Sequence, residues 1–149
     1  MKTLWWTAIP YPIFDDLLND CAKGKIWGTI GMTNSFFQMC MHPDHVHLMA
    51  VNMLWGLDKW LVRSMGLKNA PAIHQYHVTA TLQPLVGKIC HIYLDDIIIW
   101  SNSLDEHKKN VHTVLEALQT ARLYVNSNKT HLFCTKINFL GHHISACSI

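Results

Sequence analysis

Asp95 and Asp96 are the residues best suited to chemistry in this chain of 149 residues. Two adjacent carboxylates stand between Ile92-Tyr93-Leu94 and Ile97-Ile98-Ile99-Trp100. Acids amid apolar neighbours are costly unless they reach water, hydrogen-bond donors or a cation. Two readings follow. In the plainer one the pair is a solvated turn closing a hairpin, since aspartate is an ordinary turn residue. In the sharper one the carboxylates form a site for hard divalent cations such as magnesium, which take oxygen ligands. The eleven histidines offer a different chemistry. His42, His45 and His47 cluster near Cys40, and His142-His143 adjoin near Cys134. Imidazole and thiolate suit zinc, but structural zinc sites take four ligands at regular spacing, and these residues lack it. The plainer reading is polar surface and partly buried aromatic filler.

The elements that must hold these residues follow from periodicity and punctuation. Pro12 fits the first position of a helix, with Asp15 and Asp16 in its favourable first turn. Phe14, Leu17, Leu18 and Cys21 form its apolar stripe, and Gly24 closes it. Ile26 to Met32 reads as a strand followed by a turn through Thr33, Asn34 and Ser35. Val46 to Met53 is apolar on both faces and is expected to be a buried strand. Gly56 to Lys59 should turn into a second strand, Trp60 to Arg63. Pro71 marks the next helix start; Val78, Leu82 and Leu85 recur at helical spacing, and Gly87 ends the element. Ile89 to Leu94 and Ile97 to Trp100 form a hairpin around Asp95-Asp96. Ser103 and Glu106 make a capping-box pattern opening a helix striped by Val111, Val114, Leu115 and Leu118. Short strand-like runs fill 123–149, with a turn expected at Asn126-Ser127-Asn128. Hairpins rather than long crossovers imply an α+β fold, an antiparallel sheet backed by helices.

Composition narrows the function classes. The chain has one domain's worth of residues and can bury a core without a disulfide framework. Half its residues are hydrophobic and only 15% are charged, against about 25% in typical domains. That excludes a disordered polyelectrolyte and implies that part of the surface is normally covered. A net charge of +2 makes no case for or against nucleic acid. No apolar run reaches the length of a membrane-spanning helix. Pro10 and Pro12, with Asp15 and Asp16 just beyond, interrupt the faintly signal-like opening, so an intracellular protein is expected. Five widely spaced cysteines without a Cys-x-x-Cys pair fit a reduced compartment.

Tyr93-Leu94-Asp95-Asp96, followed by Ile97-Ile98-Ile99, resembles the palm motif of reverse transcriptases, especially those of gypsy-type long-terminal-repeat retrotransposons. Further blocks follow in the family's order. Phe36-Phe37-Gln38 is similar to the end of the first palm motif. Met65 to Ala72, with Gln75 beyond it, resembles the block that opens the next palm helix. Residues 104–123 resemble the following helix. Lys129 and Phe139-Leu140-Gly141-His142 resemble later motifs, the last being the primer-grip hairpin. The resemblance spans roughly residues 10 to 145, and five ordered blocks carry far more weight than a lone Tyr-x-Asp-Asp.

The resemblance implies an RNA-directed DNA polymerase palm with a scrap of fingers, cut from a retroelement polyprotein. It also implies that the thumb, connection and ribonuclease H regions lie elsewhere. Its partners would be an RNA or DNA template with primer, deoxynucleoside triphosphates and neighbouring polyprotein domains. Its cofactor would be a pair of magnesium ions held by Asp95, supported by Asp96, and by a first-motif aspartate. Asn34, Ser35, Phe36, Gln75 and Lys129 would serve the nucleotide, with Phe36 beneath the sugar; Phe139, Leu140, Gly141 and His142 would grip the primer. Without the family pattern, the same residues read as turn residues, core aromatic and solvated helix surface.

Departures from the family pattern are specific. Ile30-Gly31-Met32 stands where the family has Leu-Asp-Leu, Arg63-Ser64 where many relatives have Met-Pro, and Trp55-Gly56 where Phe-Gly is usual. Glycine cannot ligate a metal through a side chain, so the resemblance implies an inactive copy. An aspartate restored at position 31 is expected to recover activity, at no backbone cost if φ there is negative. The alternative is a non-catalytic nucleic-acid-binding or structural remnant, with a zinc-binding module behind it.

Overall fold

The alternation of apolar side chains on two long strands decides the architecture. A computed structural model of the chain describes residues 14–68 and 70–145. Pro12 lies outside them, as does the end of the tail. The main sheet runs β4-β5-β1-β6 and every pairing is antiparallel. It is built from β1 (Ile26–Met32), β4 (Cys90–Tyr93), β5 (Asp96–Ser101) and β6 (Val125–Cys134). On β5, Ile97 and Ile99 face one core while Ile98 and Trp100 face the other. The run Ile97-Ile98-Ile99-Trp100 is therefore apolar throughout because both faces are covered.

The first face packs on α2 (Ala70–Leu82) through Val78 and Leu82, and on α3 (Leu104–Thr120) through Val111, Val114 and Leu118. The second is covered by α1 (Phe14–Ala22) and by the hairpin of β7 (Lys136–Phe139) and β8 (His142–Ser145). There Leu17, Cys21, Ile137, Phe139 and Ile144 meet Trp27, Ile98 and Trp100. The Trp27 indole donates to the Cys21 carbonyl at 2.8 Å, so the ring's one polar atom is satisfied inside the core. Burial pushes the Cys21 and Cys90 thiols up to about 12, which makes both unreactive.

The α+β layout agrees with the expectation from pattern, and α3 uses its capping box: the Glu106 amide donates to Ser103 Oγ and the Asn102 amide to the Glu106 carboxylate. Three local expectations are corrected. Val46 to Met53 is no buried strand. Pro43–Met49 form a 3-10 helix and β2 (Ala50–Met53) is exposed along its length. Its partner β3 is Gly56–Lys59, the segment expected to turn, and the turn falls at Leu54-Trp55. Pro43 and His42, which caps the Asp44 amide, start the 3-10 helix before strand pairing can. Of the expected strand Trp60 to Arg63, only Val62 pairs, in an isolated bridge to Cys40. Third, Asn126-Ser127-Asn128 lie within β6 as a bulge: the Asn128 amide donates to Asn126 Oδ1, and Thr130 Oγ1 donates to the Asn126 carbonyl. No helix among the described residues is long and apolar enough to cross a membrane.

Candidate active site

The two aspartates occupy different elements. Asp96 opens β5, while Asp95 shares with Leu94 the two-residue turn between β4 and β5. Leu94 adopts a left-handed backbone, φ 53°, which is uncommon for a non-glycine residue and must be held by its surroundings. Gln75 of α2 holds it. Its Oε1 accepts from the Leu94 amide at 2.7 Å, and its Nε2 donates to the Ile92 carbonyl at 3.3 Å and to Thr79 Oγ1 at 3.2 Å. Gln75 is buried, so the solvated-helix reading fails. Its amide clamps the turn that carries Asp95.

Asp95 is fixed from two further sides. Its carbonyl accepts from the Met32 amide at the end of β1 (3.0 Å), and its Oδ1 accepts from Ser35 Oγ at 2.7 Å. Ser35 and Phe36 stand on a short 3-10 helix, Ser35–Gln38, entered through Asn34 in a left-handed conformation at φ 43°. His74, which pattern reasoning passed over, lies directly before Gln75. Its Nδ1 is 3.7 Å from Asp95 Oδ1 and its ring meets the edge of Phe36 at 5.7 Å. Burial pushes this imidazole below its usual range, against the pull of Asp95. Gln38 bonds the carbonyls of Thr33 and Tyr124 and accepts from the Tyr124 amide (2.8 Å), joining the turn after β1 to the start of β6. Neither His74 nor Gln38 carries a local signal of its role. Both act on segments distant in sequence.

Gly31 is the registered partner of Asp96 across β1 and β5, so the two share a sheet face. That face holds no carboxylate at position 31, and the space is taken. A β-carbon added to Gly31 would lie 2.5 Å from the Lys129 β-carbon and 3.1 Å from the Lys129 carbonyl oxygen. The backbone at position 31 would carry an aspartate without conformational cost, as expected, but the Lys129 stem would not make room for its side chain. No positive φ stands in the way, but the β6 bulge does. Partial burial and the Asp95 charge push the Asp96 carboxyl above its usual range, with Lys129 pulling the other way.

The expected primer-grip residues form the β7–β8 hairpin. Leu140 and Gly141 make its turn with φ of 50° and 82°, the left-handed pair that a tight hairpin requires. Phe139 is buried in the second core, and His142 begins β8 on the exposed side. Among the described residues no three His, Cys, Asp or Glu converge to hold a metal. His42 instead stands beside Asp44 (3.6 Å) and His45.

Comparison with known proteins agrees with this fold. Residues 10–144 match the family model for "Reverse transcriptase (RNA-dependent DNA polymerase)". The chain is 36% identical over 140 residues to the retrovirus-related Pol polyprotein from transposon opus of Drosophila melanogaster, covering 94% of this chain and 14% of that protein. It is 33% identical over 133 residues to the enzymatic polyprotein of figwort mosaic virus, covering 89% of this chain and 20% of that protein. Thus it spans a seventh to a fifth of the length of these relatives. Among solved structures, a foamy viral protease-reverse transcriptase in complex with RNA/DNA hybrid superposes with a TM-score of 0.82 at 24% identity, over 93% of this chain and 19% of that one. A second form of that enzyme, in complex with double-stranded DNA, gives a TM-score of 0.78 at 26% identity, over 83% of this chain and 22% of that one. With a family model matched over nearly its whole length and a relative 36% identical across 94% of it, this chain belongs to the reverse transcriptase (RNA-dependent DNA polymerase) family.

Proposed function

We propose that this chain is the palm, with a scrap of fingers, of a retroelement RNA-directed DNA polymerase, and that it engages a primer–template but does not extend it. The observation that carries the second half is Gly31, which stands across from Asp96 without a carboxylate and beneath the Lys129 stem. Magnesium ions, when bound in such a site, neutralise the triphosphate and lower the pKa of the primer 3′-hydroxyl. The residues present do not fit a pair of them: among the described residues no third His, Cys, Asp or Glu joins Asp95 and Asp96, and Asp95 already accepts from Ser35.

What remains is a binding surface. Asn34, Ser35 and Phe36 form the floor for a nucleotide, with Phe36 beneath the sugar and Lys129 near its charge. Gln75 acts through the turn it clamps. Phe139, Leu140, Gly141 and His142 support the primer end, and other domains of the polyprotein complete the duplex channel. The non-catalytic reading is favoured by the same Gly31 geometry.

Single-turnover primer extension at saturating magnesium tests the reading, with this chain joined to the fingers and thumb of an active relative. No measurable extension is expected, because phosphoryl transfer depends on positioning and charge stabilisation that two carboxylates alone do not supply. Duplex binding by the same fusion should persist and weaken steeply with salt. Robust extension would overturn the proposal, and loss of duplex binding would reduce the chain to a structural remnant.

A further inference from the structure

We propose that the Arg63 guanidinium, with the Ser64 amide and hydroxyl beside it in sequence, is a binding site for a phosphate group that uses neither Asp95 nor Asp96. The choice of phosphate rests on reading Asn34 to Phe36 as a nucleotide floor; the unpaired charge stands without it. Arg63 is fixed by its main chain. Its amide donates to the Met39 carbonyl at 2.9 Å, the Met41 amide donates to the Leu61 carbonyl at 2.8 Å, and Val62 bridges Cys40 between them. The side chain has no such hold. Its Nε and Nη1 are buried, and neither donates to an acceptor. Burial pushes the guanidinium below its usual range, and no acid pulls the other way. A desolvated cation is costly unless an anion meets it, so an anion from outside the described residues accounts for the arrangement. Arg63 is only half-buried, which leaves it a way in from solvent.

The next residue adds donors of its own. Arg63-Ser64 stands where many relatives have Met-Pro, so this chain carries a guanidinium, a hydroxyl and a main-chain N–H in their place, proline having none. Ser64 is half-buried and makes no hydrogen bond with another described residue. Location then favours phosphate over a carboxylate. Met39, which accepts from the Arg63 amide, caps the Ser35–Gln38 3-10 helix. The Phe37 ring on that helix lies 5.7 Å from the Trp60 ring. The run that carries Arg63 is thus tied at two points to the segment that carries Phe36. A planar guanidinium meets a phosphate through two parallel N–H bonds, a fit that an ammonium cannot make.

The test is titration calorimetry of the full chain with inorganic phosphate in chloride buffer. The wild-type chain should bind phosphate and Arg63→Met should not. Arg63→Lys should bind about tenfold more weakly, because the charge stays and the fork is lost. Without phosphate, the urea midpoint of Arg63→Met should equal or exceed that of the wild type, since methionine removes an uncompensated charge. A lower midpoint there would show the guanidinium serving the fold and would overturn the proposal. So would a wild-type chain that binds no phosphate, or equal affinity in wild type and Arg63→Met. Two further probes, dATP and a single-stranded oligonucleotide, separate the sources of the phosphate: the one whose affinity depends on Arg63 supplies it. For the oligonucleotide, Arg63→Met should lower the slope of log affinity against log salt by about 0.7, the share of one phosphate contact. A hexaglutamate peptide that binds at Arg63 more tightly than phosphate would overturn the assignment of the ligand. Phosphate binding needs neither a duplex nor extension, so it fails or succeeds apart from the proposed function.

Discussion

Around Asp95 the individual side chains divide into those that would touch a nucleotide and those that hold what touches it. Gln75 is the clearest of the second kind. Removing its amide leaves the Leu94 amide and the buried Ile92 carbonyl without their partner. Gln75→Ala is therefore expected to cost about 2–3 kcal/mol, the loss of buried hydrogen bonds with groups left unsatisfied, checked by urea unfolding. We propose Phe36 for the first kind. It is half-buried, and its ring meets the His74 ring in an edge-on contact. In an active relative carrying residues 33–38 of this chain, Phe36→Val should raise the ratio of ribonucleotide to deoxynucleotide incorporation about tenfold or more, because discrimination is a difference in transition-state binding. An unchanged ratio would return Phe36 to packing alone. His74 itself could not have been found by pattern: a histidine in a helix announces neither the carboxylate nor the ring it meets.

At the scale of elements, whatever local chemistry dictates could be read from the sequence. Gly24, Pro71 and the Ser103–Glu106 box mark helix ends, and the Ile-rich runs mark β4 and β5. Non-local packing could not be read in the same way. Val46 to Met53 looked buried because it is apolar, yet β2 is exposed along its length. The Asn126 to Asn128 turn chemistry is present but is absorbed into a strand, since β1 pairs on either side of it. The approach of Lys129 to Gly31 spans the same long separation and has no local trace. A buried network on α3 supplies a pH prediction. Asn110 Nδ2 donates to Ser101 Oγ, leaving that hydroxyl's proton for His107 Nδ1. His107 is fully buried, its ring packs on Phe133, and burial pushes it below its usual 6.5 despite Glu106. The fold thus favours the neutral ring. The stability it contributes is complete above about pH 6.5 and is lost as pH falls from there through the depressed folded value. His74 adds to the slope in the same direction, while Asp96, raised rather than lowered, opposes it. Urea midpoints should fall between pH 7.5 and 5.5, and His107→Gln should flatten that fall while lowering the midpoint at pH 7.5.

For the whole molecule, the exposed apolar surface concentrates on the β2–β3 hairpin. Leu54 and Trp55 at its tip are each 98% exposed, with Met53, Leu57 and Leu61 close by in sequence and also uncovered. Contiguous apolar surface of this kind, on a chain with 15% charged residues, drives association. The isolated chain is expected to self-associate, and Leu54→Ser with Trp55→Ser should bring the mass measured by light scattering down towards 17.1 kDa. A wild-type chain that stays monomeric at high concentration would contradict this. The strand order β4-β5-β1-β6 also has a consequence for synthesis. β1 leaves the ribosome before either of its neighbours exists, and Asn126, the β6 partner of Gly31, follows about 95 residues later. At roughly 5–20 residues per second that is a wait of roughly 5–20 s, during which the β6 edge of β1 lacks its strand, while the β5 edge waits only until Asp96 follows about 65 residues after Gly31. The strand that carries Gly31 is the first of the sheet to be made and the last to be completed.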